Sequence, residues 1–175
     1  MLTRFVRLIT TLCHPASLVT IVAATMPVMA HTGEVIARHS GKCLEIGGPT
    51  WTAVFQHTCE AGAVNQGWRR EGNGGYFTLS AERTGQCLRA TSVTAVAGWT
   101  AVSVGACDAS QDEQWHRVPV GYGFFGVGDR AGRGCLDVLG SSVADWTTAV
   151  LTPCRPGRLS QQWHSDIFLS GDFGG

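Results

Sequence analysis

The sequence predicts an all-β domain of three equivalent lobes, and two observations carry that prediction. First, six of the seven cysteines and all six tryptophans fall on one repeating pattern. It reads Cys43-Leu44, Trp51, Cys59 and Trp68, then Cys87-Leu88, Trp99, Cys107 and Trp115, then Cys135-Leu136, Trp146, Cys154 and Trp163. The middle tryptophan precedes its second cysteine by eight residues in every copy, and the last tryptophan follows that cysteine by nine, eight and nine. Self-similarity at a fixed period marks a structural unit copied in tandem. Second, each copy breaks into short apolar runs separated by Gly-, Ser- and Thr-containing turns, with no helical period.

The elements follow in order. The first copy predicts strands over 34–39, 42–47, 52–59 and 67–71. The second predicts 76–81, 86–91, 100–107 and 114–118, and the third 123–128, 134–139, 147–154 and 162–167. Seams fall at Gly72-Asn73-Gly74-Gly75 and at Pro119 to Gly121. An open sheet of so many strands would leave unpaired edges, and closure removes them. Three-fold repetition therefore predicts a closed barrel capped by three hairpins, the β-trefoil. A three-bladed propeller is the geometric rival, with fewer blades than propellers use. The repeat also selects one disulfide scheme among the many that six cysteines allow: Cys43–Cys59, Cys87–Cys107 and Cys135–Cys154, each inside its own copy.

The 175 residues hold one domain and a leader. Arg4 and Arg7, an apolar stretch strongest from Leu18 to Ala24, and Val28-Met29-Ala30 read as a signal peptide over residues 1–30. His14-Pro15 interrupts the apolar run, so an uncleaved membrane anchor is the alternative, and it would be the chain's only membrane contact. The domain is expected over 31–170, with repeats at about 33–73, 74–119 and 120–169 and a flexible tail at 171–175. Export makes the remaining cysteines disulfide partners. Without Arg4 and Arg7 the chain keeps 11 basic and 13 acidic residues, with Lys42 its one lysine. No basic patch argues for a nucleic-acid partner. The histidines His31, His39, His116 and His164 show no metal-ligand spacing, and no cofactor motif is present.

Strand alternation sorts the faces. Leu44 and Ile46, Leu88 and Ala90, and Leu136 and Val138 point to the core, which turns Glu45, Arg89 and Asp137 outward. In the strands ending at the second cysteines, Val54, Val102, Val104, Ala149 and Leu151 point inward, with Gln56 an unexplained inward polar residue. Phe55 and His57, Ser103 and Gly105, and Val150 and Thr152 point outward. Trp68, Trp115 and Trp163 are expected in the core.

A Cys-Leu-acidic strand, a second cysteine and a Gln-x-Trp motif, three times over, resemble the ricin-type β-trefoil lectins. The matching residues are Cys43-Leu44-Glu45, Cys135-Leu136-Asp137, Asn65-Gln66-Gly67-Trp68 and Gln161-Gln162-Trp163, and the likeness spans about residues 33–168. Small secreted bacterial lectins are similar in layout. The resemblance implies shallow sugar pockets, up to one per repeat, for galactose-, xylose- or mannose-type sugars. A ring stacks on the apolar face of the sugar while a carboxylate and amides take its hydroxyls.

Carried over, the first repeat offers Glu45, His57, Asn65 and Gln66, with Phe55 as a further outward ring. Glu stands where the family has Asp, and His where it has Trp or Tyr. The second repeat has Arg89, Gly105, Asp112 and Glu113 at those places, so its pocket is expected to be dead. The third keeps Asp137 and Gln161 but has Thr152 and Ser160 for the ring and the Asn, so it is expected to be weak. The carboxylates and amides have a structural alternative, as backbone acceptors and loop braces. Trp51, Trp99 and Trp146 depart from the family, which has small residues there. They pack over the disulfides and hairpins or form stacking platforms, Trp51 beside Glu45 and His57 being the candidate platform. Protonation of His57 in mildly acidic solution is expected to change binding, because an imidazolium would pair with Glu45.

The expected function is a secreted, monomeric lectin that binds a glycan or polysaccharide. The alternative is a non-sugar interaction protein, such as a toxin-delivery subunit or protease inhibitor, with degenerate pockets. A glycosidase needs paired carboxylates across a cleft, and Asp129, Asp137 and Asp145 form the one local cluster of acids. No Ser-His-Asp or Cys-His arrangement is present, so no enzyme is expected.

Overall fold

A computed structural model describes residues 32–72, 75–96 and 99–168. The expected signal segment, 1–30, and tail, 171–175, lie outside the described residues. Thirteen strands are described: β1 (Thr32–Glu34), β2 (Ile36–Ala37), β3 (Cys43–Gly47), β4 (Ala53–His57), β5 (Gly67–Glu71), β6 (Thr78–Ala81), β7 (Cys87–Val96), β8 (Trp99–Gly105), β9 (Trp115–Gly121), β10 (Phe124–Asp129), β11 (Cys135–Val138), β12 (Thr147–Thr152) and β13 (Trp163–His164). Short 3-10 turns occupy 111–113, 139–141, 159–161 and 166–168. Among the described residues no helix is long and apolar enough to cross a membrane.

The pairing closes twice over. Strand β1 pairs β5, β5 pairs β6, a bridge joins Phe77 to Trp115 at the start of β9, β9 pairs β10, β10 pairs β13 and β13 pairs β2. That circuit is the barrel. The hairpins β3–β4, β7–β8 and β11–β12 form the cap. Their second strands pair with one another in all three combinations, β4–β8, β8–β12 and β12–β4. A propeller would keep its hydrogen bonds inside each blade. This closed triangle joins all three lobes, and the fold is a β-trefoil.

Several predicted strands are altered. Strand β7 runs on to Val96, past the expected end at 91, and β9 runs to Gly121 through the expected seam. The run 34–39 is divided at Val35, because β1 serves β5 while β2 serves β13. The run 162–167 shortens to β13, and the 3-10 turn after it drops Ile167 and Phe168 into the core. Phe168 lies 4.3 Å from the Phe125 ring and 5.0 Å from Phe77.

The core joins the two sequence signatures. Trp68, Trp115 and Trp163 are fully buried. Each indole Nε1 donates to the carbonyl of the leucine after the first cysteine of its lobe: Leu44 at 2.8 Å, Leu88 at 3.0 Å and Leu136 at 3.1 Å. A buried indole N–H without a partner would cost about 1–3 kcal/mol, so these bonds pin each Gln-x-Trp segment to its Cys-Leu strand. The disulfides are Cys43–Cys59, Cys87–Cys107 and Cys135–Cys154, one per lobe.

Candidate functional site

In the first lobe four predicted residues meet. Glu45 on β3 lies opposite Phe55 on β4, and His57 follows two residues on. The loop before β5 returns over them and brings Asn65 and Gln66. Asn65 Nδ2 donates to Glu45 Oε1 at 2.8 Å, and Gln66 Nε2 donates to Glu45 Oε2 at 2.6 Å. The Nδ1 of His57 lies 3.4 Å from the same Oε2. Glu45 does leave the core face, but it is only 4% exposed, so the expected outward carboxylate is covered. Alternation gives the side of a strand and says nothing of a loop folded across it. A carboxylate offers about four acceptor positions, and the two amides use two of them.

Gln66 is also a brace. Its Oε1 accepts the Glu60 N–H and its Nε2 reaches the Thr58 carbonyl. In the third lobe Gln161 repeats both contacts, with the Arg155 N–H and the Pro153 carbonyl. In the second, Glu113 accepts the Asp108 and Ala109 N–H groups. This position therefore closes the loop in every lobe, whatever the state of the pocket.

Phe55 is a correction. It is buried, where an outward ring was expected. Its ring lies across Gly47, where a Cβ would stand 2.7 Å from Cζ. Trp146 covers it, with ring centroids 4.9 Å apart.

Trp146 is the residue sequence reasoning missed here. It comes from the third lobe, yet its indole packs on His57 at 4.2 Å between centroids. Trp51, the expected neighbour of this site, points elsewhere. Its ring packs against the core under Arg83, whose guanidinium carbon sits 3.7 Å from the ring centroid. The half-buried Trp99 stands at the opposite end of β8 from Cys107. No repeat arithmetic signals a contact between residues of different lobes.

The loop that carries Trp146 is held firmly. Gln56, the unexplained inward amide, is fully buried and donates from Nε2 to the carbonyls of Ser142 and Ala144, each at 2.8 Å. It accepts from Ser40 Oγ at 2.8 Å. The Trp146 N–H donates back to the Gln56 carbonyl at 2.9 Å. Next to it, Asp145 Oδ1 accepts Lys42 Nζ at 2.6 Å and the Thr58 N–H at 2.8 Å. The hydrogen bond from Lys42, with those from Thr58, holds the Asp145 carboxyl below the usual carboxylate range.

The other two lobes carry a guanidinium over the equivalent place. In the second, Arg89 replaces the carboxylate and its Nη2 reaches Asp108 at 3.2 Å. In the third, Asp137 is fully buried, which corrects its expected outward exposure. Its Oδ2 accepts Thr152 Oγ1 at 2.6 Å and Gln161 Nε2 at 3.3 Å, and Arg158 Nε closes over it at 2.9 Å. Arg158 also reaches Ser160, the residue standing in for the Asn. Cys87, Cys107 and Glu113 crowd together, but both sulfurs are spent in a disulfide and so are no metal ligands.

The sequence model of the ricin-type beta-trefoil lectin domain matches residues 31–163. The chain belongs to the ricin-type β-trefoil lectin family. No curated protein sequence matches it. Among solved structures, a designed three-fold symmetric protein, ThreeFoil, is 28% identical with a TM-score of 0.67, covering 77% of this chain and 96% of that one. The Macrolepiota procera ricin B-like lectin in complex with lactose is 19% identical with a TM-score of 0.67, covering 78% and 95%. An exo-β-1,3-galactanase from Clostridium thermocellum is 18% identical with a TM-score of 0.69, and the match covers 80% of this chain but 30% of that enzyme. The last two likenesses concern the fold alone. Within this family the first lobe of the chain keeps the acidic residue and the Asn-Gln pair together, and the other two lobes do not.

Proposed function

We propose that this ricin-type β-trefoil protein is a secreted carbohydrate-binding lectin whose ligand is held at the first lobe by Glu45, His57, Asn65 and Gln66. One observation carries the reading. Among the described residues, Glu45 is braced by two amides and meets no arginine or lysine, whereas Arg89 replaces the second carboxylate and Arg158 covers the third. Asp137 and Gln161, which the sequence also nominates, serve the architecture of their lobe. The lactose-bound Macrolepiota procera lectin supports a sugar as the ligand class. Three intralobe disulfides support an extracellular setting.

A single shallow pocket binds weakly, with Kd near millimolar, because little surface is buried per hydroxyl satisfied. Two grooves of about 630 and 500 Å³ are not lined by Glu45 or His57. A glycan array read beside isothermal titration tests the assignment. Wild type binds, Asn65→Ala and Glu45→Gln lose binding at least tenfold, and Asp137→Asn keeps it. Silence of the folded wild type across the array would overturn the reading in favour of a protein partner, which the guanidinium-closed second and third lobes would suit.

A further inference from the structure

Three cross-lobe contacts put the indole of Trp146 where the first lobe lacks a good platform. The ring packs on His57 and Phe55, the backbone N–H of Trp146 is tied to the Gln56 carbonyl, and the neighbouring Asp145 is clamped by Lys42 and Thr58. Trp146 is nevertheless 62% exposed. Burying its faces in the core would have been the favourable course for so large an apolar ring. Its backbone is strained as well, with φ of +63°, a conformation that favours glycine. Trp51 takes the same strained turn in the first lobe, at φ of +56°, and there the ring is packed on the core and capped by Arg83. Two equivalent tryptophans thus have opposite fates. The bare one stands above the lobe with the cation-free carboxylate.

We infer that Trp146 is the stacking platform of the first-lobe site, supplied across the lobe boundary, and that it carries a second sugar residue, so that the ligand is an oligosaccharide. This inference rests on the lectin reading above. His57 decides the second part. Its Nδ1 faces Glu45 at 3.4 Å, and its ring touches Trp146 on the other side at 4.2 Å between centroids. The imidazole therefore stands between the carboxylate and the indole. A sugar whose hydroxyls reach Glu45 and Asn65 lies over His57, and the next ring along the chain lies on Trp146. A pyranose presents an apolar C–H face to such a ring while its hydroxyls stay in water.

The test compares galactose with lactose and xylose with xylobiose by titration, in wild type, Trp146→Gly and Asn65→Ala. Glycine suits the positive φ, so Trp146→Gly keeps the turn. In wild type the better-bound disaccharide exceeds its monosaccharide about tenfold, the order expected of one aromatic contact. Trp146→Gly abolishes that gain, whereas Asn65→Ala weakens both sugars and keeps their ratio. Trp68, Trp115 and Trp163 are buried, so a disaccharide-dependent blue shift in fluorescence, absent in Trp146→Gly, is a second readout. Equal affinity for mono- and disaccharides in wild type, or an undiminished gain in Trp146→Gly while Asn65→Ala fails to bind, overturns the inference and leaves the lectin reading standing. Absence of binding to any glycan on the array as well overturns both.

Discussion

Replacing Gln56 by methionine keeps the volume of a fully buried side chain and deletes its three hydrogen bonds, from Ser40 and to Ser142 and Ala144. A net contribution of about 1 kcal/mol per bond would give about 3 kcal/mol. Each partner keeps another contact, however. The Ser142 carbonyl still meets His39 Nε2, the Ala144 carbonyl still accepts Thr147 Oγ1, and Ser40 Oγ still accepts the Lys42 N–H. No group is left wholly unpaired, so the expected cost is about 2 kcal/mol. At roughly 3 °C per kcal/mol for a domain of this size, calorimetry should show Tm lower by about 6 °C. The loss should fall on the 142–146 loop, so iodide should quench Trp146 more strongly in the variant. A Tm within about 2 °C of wild type would refute the energetic argument. A large fall in Tm with unchanged quenching would show that the amide supports its own strand and not the loop.

Three further outcomes are expected. The disulfides close separations of 16, 20 and 19 residues, and because the chain-entropy effect varies only logarithmically, each Cys→Ser pair should cost about 3 kcal/mol in urea denaturation; one pair costing several times the others would contradict the equivalence of the lobes. The Asp145 carboxyl is held below its ordinary value, so its clamp contributes above that value and is lost as pH falls through the lowered one. Iodide quenching of Trp146 should stay flat from neutral pH and rise only below about pH 4, and Lys42→Met should move that rise to higher pH; a transition near pH 6 would implicate a histidine instead. Arg158→Met leaves the buried Asp137 carboxylate without its cation and should cost about 3 kcal/mol, and a loss under 1 kcal/mol in the same denaturation would show that Thr152 and Gln161 suffice for it.

The repeat pattern made the fold legible because disulfides and Gln-x-Trp tryptophans are local devices. Each Trp–Leu bond spans fewer than thirty residues, inside one copy, so any copy reports on the other two. The same logic located Glu45, His57, Asn65 and Gln66 together and marked Arg89 as standing where the carboxylate would be. It missed whatever crosses a lobe boundary. Gln56 looked like a polar error on a core face because its partners, Ser142 and Ala144, lie 86 and 88 residues away. For Trp51 the sequence leaves packing over the hairpins and a platform beside Glu45 and His57 both open, because proximity along the chain is its only guide, whereas the ring turns to Arg83 of the next lobe. The burial of Asp137 depends on Arg158, a loop residue outside the family motif, whose reach onto β11 no spacing indicated.

The seating of Trp146 on the first lobe has a consequence for biogenesis. A nascent chain acquires its acidic cradle early, from residues 43 to 66, but the indole emerges from the ribosome some eighty residues later. Under the role proposed for Trp146, truncation products, from stalled translation or from a protease cutting ahead of Asp145, would carry the cradle and have nothing on which a second saccharide unit could rest. Affinity for long glycans would then double as a certificate that synthesis had run to its last third and that the ring of lobes had shut.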